Sequence, residues 1–328
     1  MVALDTPVTG EPVPVVDWDA TDRQWLDARR VGLGASEVAA ALGMSTWTTP
    51  WQVWADKTGV QPRGDERSDA AELGTALEPW ILGQASVLLG EPVERTPARL
   101  YAHPQHPWRL ASPDAHTKTG PLVEAKTAGL AGRADVSDWD DGVPLAYEIQ
   151  CRWQMHVMDA PADHVVALVA GLGLIVRTVV RDLLVEEELV RQVTQWWDRY
   201  VTGSIEPPLG GGDLDALARR WPTGDGGVVD VDDTDAAALL GLRRSALARR
   251  NSGQSELDDI DAQLRGLIGG HGEAYLDNSL AYALSPRRGS IDWKAVATDL
   301  MDDPTAEVDP EDYRRPPTRT LKIAKEWQ

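Results

Sequence analysis

The 328-residue sequence contains a single cysteine, Cys151. One cysteine excludes an internal disulfide framework and any zinc or iron–sulfur site built from cysteines alone. The sequence also lacks a run of about 18 apolar residues, and no basic segment precedes an apolar one near its start. We therefore expect a soluble, cytoplasmic protein with no part in the membrane.

Positive charge is scarce as well. Lys and Arg number 32 against 52 Asp and Glu, for a net charge of −20. Phosphate binding depends on Lys and Arg, so this total argues against a protein that coats nucleic acid with a general basic surface. It does not exclude a local site where a few basic side chains gather, because the distribution of charge matters more than the sum.

The chain is long enough for about two domains. Residues 1–20 are rich in Pro and Val and are expected to be a tail or an extended lead-in, followed by a first domain over 21–206. PPLGGG at 207–212 is the best linker candidate, and 207–328 would form a C-terminal extension. The fold class that we expect is α/β, with a central mixed sheet flanked by helices and a mainly helical extension.

Hydrophobic periodicity and turn residues place the elements. The predicted helices cover residues 36–42 with Ser36 as N-cap, 70–89, a segment starting at Pro144, and 186–201. The predicted strands cover 109–112, 122–127, 164–170 and 174–181. In the extension we expect a helical hairpin over 234–269 broken near 251–253, a strand at 279–285, a short helix at 292–300 and an edge strand near the end.

The stretch ASPDAHTKTGPLVEAK, residues 111–126, carries the most specific chemistry. Side chains two apart on a strand point to the same face, so Glu124 and Lys126 project together while Ala125 faces the core. If strands 109–112 and 122–127 form a hairpin across the HTKTG turn, Asp114 lies beside them. Two carboxylates and one ammonium then meet in a small volume.

Two close carboxylates do not both stay ionised without a cation. Mg²⁺ suits them, because it prefers carboxylate and carbonyl oxygens and water. A bound metal ion activates water and neutralises a phosphoryl oxygen, and Lys126 would orient or deprotonate that water or stabilise developing charge. The pattern thus indicates a phosphodiester-cleaving site. A surface hairpin with a salt bridge is the alternative, but the order of helix, Asp, strand with Glu-x-Lys and helix favours the nuclease.

The helix that starts at Pro144 carries Gln150 and Gln154, four residues apart and so on one face. Their amides are suited to clamp a water molecule or a phosphate. A solvated polar helix face is the alternative, above all for Gln154.

Four motifs occur in order within residues 25–200: GLGASEVAAALG, LGTALEP, ASPD…VEAK and YEIQCRWQMHVM. Together they resemble the YqaJ-like viral recombinase family, relatives of phage lambda exonuclease in the PD-(D/E)xK nuclease superfamily. The resemblance implies that Asp114 and Glu124 bind metal together with the carbonyl of Ala125, and that Lys126 is the catalytic lysine. It adds Glu78 as a further acid near the metal.

The same resemblance implies that Gln150, with Tyr147 beside it, is the active-site glutamine, and leaves Gln154 as a DNA contact. Arg29, Ser36 and Ser112 match the group that grips a 5′-phosphate in lambda-type enzymes. A helix N-terminus at Ser36 would suit an anion on physical grounds too. The neighbouring Arg30 is an alternative to Arg29 for this role, because the match to the family motif does not decide between two adjacent arginines.

The function implied is a Mg²⁺-dependent 5′–3′ exodeoxyribonuclease with two metal ions, for which Mn²⁺ would substitute. It would digest linear duplex DNA from its ends and leave 3′ overhangs for a single-strand annealing partner. A ring-shaped homotrimer or homotetramer with a basic channel and an acidic exterior would reconcile the charge with DNA. If the gene is phage-encoded, the host cytoplasm is the expected location.

Two other functions remain open. One is an endonuclease of the same superfamily, although the branch with an iron–sulfur cluster needs four cysteines and is excluded. The other is a DNA-end-binding or assembly protein that keeps the nuclease fold without turnover.

Overall fold

The fold is known from a computed structural model that describes residues 10–61, 68–130, 136–140, 142–223, 228, 234–293, 295–296, 309–316 and 318–324. The chain divides into two units, Met1–Asp225 and Gly226–Gln328. None of the helices in these described ranges is both long and apolar enough to cross a membrane.

The first unit is mixed α/β. Its helices are α1 (Asp22–Arg30), α2 (Ala35–Ala41), α3 (Pro50–Lys57), α4 (Asp69–Leu89), α5 (Leu145–Met158), α6 (Leu183–Trp196) and α7 (Leu214–Arg220). Its strands are β1 (Val13–Val16), β2 (Leu33–Gly34), β3 (Val93–Arg95), β4 (Leu100–Ala102), β5 (Arg109–Ala111), β6 (Ala115–Thr117), β7 (Leu122–Ala128), β8 (Ala162–Val169) and β9 (Gly173–Val180). A π-helical turn, Trp197–Thr202, continues α6.

A five-stranded mixed sheet in the order β3-β6-β7-β8-β9 is the centre of this unit. β7 and β8 pair in parallel and the other neighbours are antiparallel. Helix α4 covers one face, where Ile81 packs with Val123 and Val166, and α5 covers the other, where Met155 packs with Leu122. The predicted central mixed sheet flanked by helices is confirmed.

The helices start and stop where the local sequence allows. The Ser68 side chain caps α4 by accepting from the Ala71 N–H, and Gly90 ends it in the left-handed conformation at φ 71°. Pro144 stands at the start of α5, where its missing N–H is not needed. The predicted helices over 70–89 and 186–201, and the β8–β9 hairpin, are confirmed within one to a few residues.

Within residues 1–20, expected to be a tail or an extended lead-in, Val13–Val16 forms β1, which pairs with β4 in a second sheet of order β1-β4-β5-β2. The predicted start of α2 was wrong in detail. Helix α2 begins at Ala35 with Gly34 as its N-cap, so Ser36 is the second helical residue. Glu37 takes the capping role instead, because its carboxylate reaches back to the Gly34 N–H at 2.9 Å.

The hairpin that was expected to carry the acids also differs. β5 belongs to the second sheet, and the strand that pairs with β7 is β6. Pro113 separates β5 from β6 because it cannot donate to a ladder, and its carbonyl accepts from the Thr96 hydroxyl at 3.0 Å. Asp114 therefore lies where the chain crosses from one sheet to the other.

The second unit contains a helix α8 (Thr234–Ile268) and a three-stranded antiparallel sheet of β10 (Glu273–Leu276), β11 (Ser279–Arg287) and β12 (Thr318–Ile323). The predicted helical hairpin was wrong: α8 runs without a break through Asn251 and Gly253, since one interior glycine weakens a helix by only about 1 kcal/mol. The strand at 279–285 and the edge position of β12 are confirmed. The predicted helix at 292–300 falls largely outside the described residues.

Candidate active site

One open cavity of about 880 Å³ gathers the side chains that the sequence singled out. Its lining includes Arg29, Ser36, Glu78, Ser112, Asp114, Glu124, Lys126, Gln150 and Gln154. These residues come from α1, α2, α4, α5, β7 and the crossing between β5 and β6, so the fold, and not local sequence, brings them together. Arg30 is not part of the lining.

The strand β7 places Glu124 and Lys126 on the face toward α5. The Lys126 Nζ donates to Glu124 Oε1 at 2.5 Å. Gln150 Nε2 donates to the same oxygen at 2.6 Å, and Gln154 Nε2 donates to Oε2 at 2.9 Å. Ala125, between them, packs with the core on the opposite face, as predicted. Both glutamines thus fix the orientation of one carboxylate.

Asp114 reaches the same cavity by a different route. Its Oδ2 accepts the backbone N–H of Ala125 at 2.9 Å, which ties the crossing segment to β7. Burial raises the pKa of the Asp114 carboxyl well above its ordinary value, and the nearby carboxylates of Glu124 and Glu78 raise it further.

Glu78 lies on α4 and completes a group of three carboxylates. Its Oε1 accepts from Arg95 Nη2 at 3.1 Å. Burial raises the pKa of Glu78 even though Arg95 opposes the shift, and Glu124 adds to it. The site therefore holds more acid than its own cations neutralise.

Lys126 is the ammonium of this group. Burial alone favours its neutral form, but the carboxylates of Glu124 and Asp114 outweigh burial and raise the pKa of Lys126 above its ordinary value. The Nζ also lies 5.1 Å from the centre of the Tyr147 ring, a cation–π contact that places Tyr147 beside the lysine.

The donor set suits a hard divalent cation. Glu78, Asp114 and Glu124 offer only oxygen, and the raised pKa values of the first two show that added positive charge would relieve the site. As the side chains stand in the described parts of the chain, no three of His, Cys, Asp and Glu already form a ligand cluster. Their carboxylates instead contact Arg95, Lys126, the two glutamines and the Ala125 N–H.

The same cavity also contains the residues that were predicted to bind a 5′-phosphate. Arg29 Nη2 donates to Ser36 Oγ at 2.7 Å, and Ser112 lines the cavity as well. Gly34 makes room for this arginine, since a Cβ there would lie 2.9 Å from Arg29 Nε. Arg30 instead pairs with Asp27 at 2.8 Å and Asp56 at 3.5 Å.

Among the lining residues that the sequence reasoning missed are two tryptophans and two arginines, Trp18, Trp25, Arg95 and Arg99. The one available signal was a pair of arginines four apart, in ERTPAR, within a strongly acidic chain. Nothing in the periodicity linked them to the tryptophans about 75 positions earlier, because that contact depends on the pairing of β1 with β4.

The sheet, the covering helices and the cavity with its three carboxylates define an α/β protein with a candidate metal-ion site. Residues 24–161 match the family model of the YqaJ-like viral recombinase domain, which agrees with the resemblance that the motifs indicated. The chain is also 28% identical over 250 residues to the uncharacterized protein YqaJ of Bacillus subtilis (strain 168), covering 74% of this chain and 75% of that protein.

Solved structures show more distant likeness. The alkaline exonuclease LHK-Exo from Laribacter hongkongensis has a TM-score of 0.45 and 20% identity, covering 60% of this chain and 97% of its own. A phage related exonuclease from Haemophilus somnus 129PT has a TM-score of 0.39 and 10% identity, covering 53% and 96%. At such low scores this likeness carries no inference about activity.

Proposed function

We propose that the protein is a metal-dependent deoxyribonuclease that digests linear duplex DNA from its 5′ ends. The observation that carries the proposal is one cavity whose lining includes both an acidic group with a lysine and the Arg29–Ser36 pair. The acidic group is Glu78, Asp114 and Glu124, and the lysine is Lys126. The first group suits hydrolysis of a phosphodiester and the second suits recognition of a terminal phosphate.

Each residue of the site has a part in the proposed reaction. Glu78, Asp114 and Glu124 would hold Mg²⁺, with Mn²⁺ as a substitute, and the carbonyl of Ala125 would add a ligand. A bound divalent cation would lower the pKa of a water molecule and neutralise charge on the phosphoryl oxygens. Gln150 and Gln154 hold the Glu124 carboxylate in one orientation. Residues that hydrogen-bond to the ligands of a metal ion orient those ligands in the same way.

Lys126 and the proposed 5′-phosphate-binding residues would contact the substrate. The Lys126 ammonium would orient the attacking water and stabilise charge on the phosphate as the bond from phosphorus to the 3′ oxygen breaks. Arg29, Ser36 and Ser112 would bind the 5′-terminal phosphate by charge-assisted hydrogen bonds and so place the first linkage over the acids. That geometry would give 5′–3′ direction and leave 3′ overhangs.

The further parts of the proposal rest on the resemblance of the motifs. They are two metal ions, a ring-shaped homotrimer or homotetramer and a single-strand annealing partner that takes up the overhang. Two alternatives remain: an endonuclease of the same superfamily, and a DNA-end-binding protein without turnover. The complete set of Asp114, Glu124 and Lys126 favours an enzyme.

Digestion of linear and closed circular duplex DNA in Mg²⁺ tests the proposal, with 5′-phosphate and 5′-hydroxyl ends compared. We expect loss of the 5′ strand from linear DNA only, and no cleavage by Lys126→Ala. Lys118→Ala, an exposed change on the same β6–β7 hairpin, is the matched control and should cut like the native protein. Cutting of circles would favour the endonuclease, and absence of any metal-dependent cleavage would favour the binding protein.

A matched pair of variants tests the proposed 5′-phosphate-binding group of Arg29, Ser36 and Ser112. Arg29→Ala should remove the preference for 5′-phosphate ends, because Arg29 lines the cavity. Arg30→Ala should keep that preference, because Arg30 pairs with Asp27 and Asp56 instead. The reverse result would transfer the phosphate contact to Arg30, and equal preference in all three proteins would remove this group from the proposal.

A further inference from the structure

The charged side chains that line the cavity are nearly balanced in sign, although the whole chain has a net charge of −20. The lining holds five basic and four acidic side chains, an excess of one positive charge before any metal ion binds. Two of the basic residues, Arg95 and Arg99, have no part in the proposed reaction so far, although Arg95 pairs with Glu78 and Arg99 shares the Trp25 ring with Arg29. Arg95 is the last residue of β3, and Arg99 lies on the stretch that joins β3 to β4.

Tryptophan faces hold these two guanidinium groups in place. Arg95 lies 4.5 Å from the centre of the Trp18 ring, and Arg99 lies 4.8 Å from the centre of the Trp25 ring. The Trp18 Nε1–H donates to the Thr96 carbonyl at 2.6 Å, which fixes that indole on the β3–β4 stretch. A planar guanidinium stacked on an aromatic ring keeps its edge free to bind a phosphate in two-pronged fashion.

The two arginines differ in their acidic partners. Arg99 pairs with Asp22 at 2.7 Å, and the Asp22 side chain is 57% exposed. Arg95 pairs with Glu78 at 3.1 Å, and Glu78 belongs to the group that would hold a metal ion. A cation at Glu78 competes with Arg95 for the same carboxylate, whereas nothing of that kind acts on Arg99.

We propose that Arg95 and Arg99 bind backbone phosphates of the substrate DNA strand beside the reacting linkage, and that metal binding at Glu78 makes Arg95 available to do so. This inference rests on the proposed function. It makes binding of the metal and of DNA cooperative: the ion takes Glu78 away from Arg95, and the arginine turns to the phosphate.

Fluorescence anisotropy with a labelled duplex tests this, using phosphorothioate linkages at the 5′ end to resist hydrolysis, with Mg²⁺ or with EDTA. We expect Arg99→Ala to raise Kd about tenfold under both conditions, as loss of one charged contact does. Arg95→Ala should raise Kd about tenfold in Mg²⁺ and much less in EDTA. In Mg²⁺ each change should reduce the salt dependence of log Kd by about one contact.

Three controls accompany the test. Arg191→Ala removes an exposed arginine that pairs with Glu188 on α6, and its Kd should equal that of the native protein. Arg99→Lys keeps the charge and should recover part of the binding, which separates a phosphate contact from a folding defect. Calorimetry without DNA should show tighter Mg²⁺ binding by Arg95→Ala, because the competing cation is gone.

The outcomes separate this inference from the proposed function. If the native protein cleaves DNA but both arginine variants bind it normally in Mg²⁺, the phosphate contact is wrong and the nuclease stands. If Arg95→Ala weakens binding equally in Mg²⁺ and EDTA, the release of Arg95 by metal is wrong. If the native protein neither binds nor cuts DNA, the proposed function itself fails.

Discussion

Helix α5 contacts two buried glutamates, and the protein neutralises them in different ways. On one side, Gln150 and Gln154 donate to Glu124, which lies in a cavity with Asp114 and Glu78. On the other side, His156 Nδ1 lies 2.9 Å from Glu186 Oε1. Because Arg109 can only donate, the His156 Nε2 at 3.1 Å from it is an acceptor, so the Nδ1–H donates to Glu186.

In the second group, Arg181 and His156 compensate the charge of Glu186. Arg181 donates to both oxygens of Glu186, at 2.7 and 2.9 Å. Burial opposes ionisation of Glu186, but the hydrogen bond from His156 and the contact with Arg181 outweigh it and lower its pKa to about 2. In the first group the pKa values of Asp114 and Glu78 are raised instead. The carboxyls of Asp114 and Glu78 are thus shifted toward the neutral form, whereas Glu186 is held ionised by its own partners.

The largest expected effect breaks the first group. Glu124→Gln should lower DNA cleavage in Mg²⁺ by at least about a hundredfold. Glu124 is both a proposed metal ligand and the acceptor of three hydrogen bonds, and the change removes its charge. Without metal its Tm should stay within a few degrees of that of the native protein, because the loss of one of three like charges is opposed by the loss of the ion pair with Lys126. Cleavage within a few-fold of the native rate would remove Glu124 from the proposed site.

The equivalent change in the second group should have the opposite pattern. Glu186→Gln leaves Arg181 and His156 without a charged acceptor, which should cost about 1–3 kcal/mol of stability. Calorimetry should then show a Tm lower by a few degrees, while cleavage corrected for the folded fraction stays unchanged. A loss of activity in the folded variant would mean that the two sides of α5 are not independent.

The smallest expected effect concerns pH. The folded-state pKa of Glu186 is lowered from 4.5 to about 2, so its contribution to stability is full above 4.5 and is lost as the pH falls toward 2. The stability gap between the native protein and Glu186→Gln should therefore narrow across that interval in denaturant titrations. A gap that stays constant would show that the ionised carboxylate is not what stabilises the group.

The sequence predicted the elements with strong periodicity and the residues with strong chemistry. Helices α4 and α5 and the β8–β9 hairpin follow from spacing, and Glu124 and Lys126 share a face because strands alternate. Strand pairing was harder, because β5 and β6 are three residues each and Pro113 redirects the chain between them. The local sequence does not indicate that β5 pairs with β4 and that β6 pairs with β7.

The parts of the site that sequence did not predict depend on contacts between distant segments. The capping of α2 depends on Glu37, whose carboxylate also pairs with Lys57 at 2.8 Å. Arg95 and Arg99 reach the cavity through stacking on Trp18 and Trp25. Neither arrangement has a short-range signature, whereas a Glu-x-Lys pair on one strand does.

The in-register pairing of β7 with β8 over seven residue pairs limits how this domain can vary among relatives. An insertion or deletion of one residue within β7 would turn Glu124 and Lys126 to the α4 face and Ala125 to the cavity. The turn of Lys118–Gly120 carries no such constraint. A change in its length leaves the side chains of β7 on the same faces of the sheet. Relatives should therefore differ in length at this turn and keep the two-residue interval between the acid and the lysine.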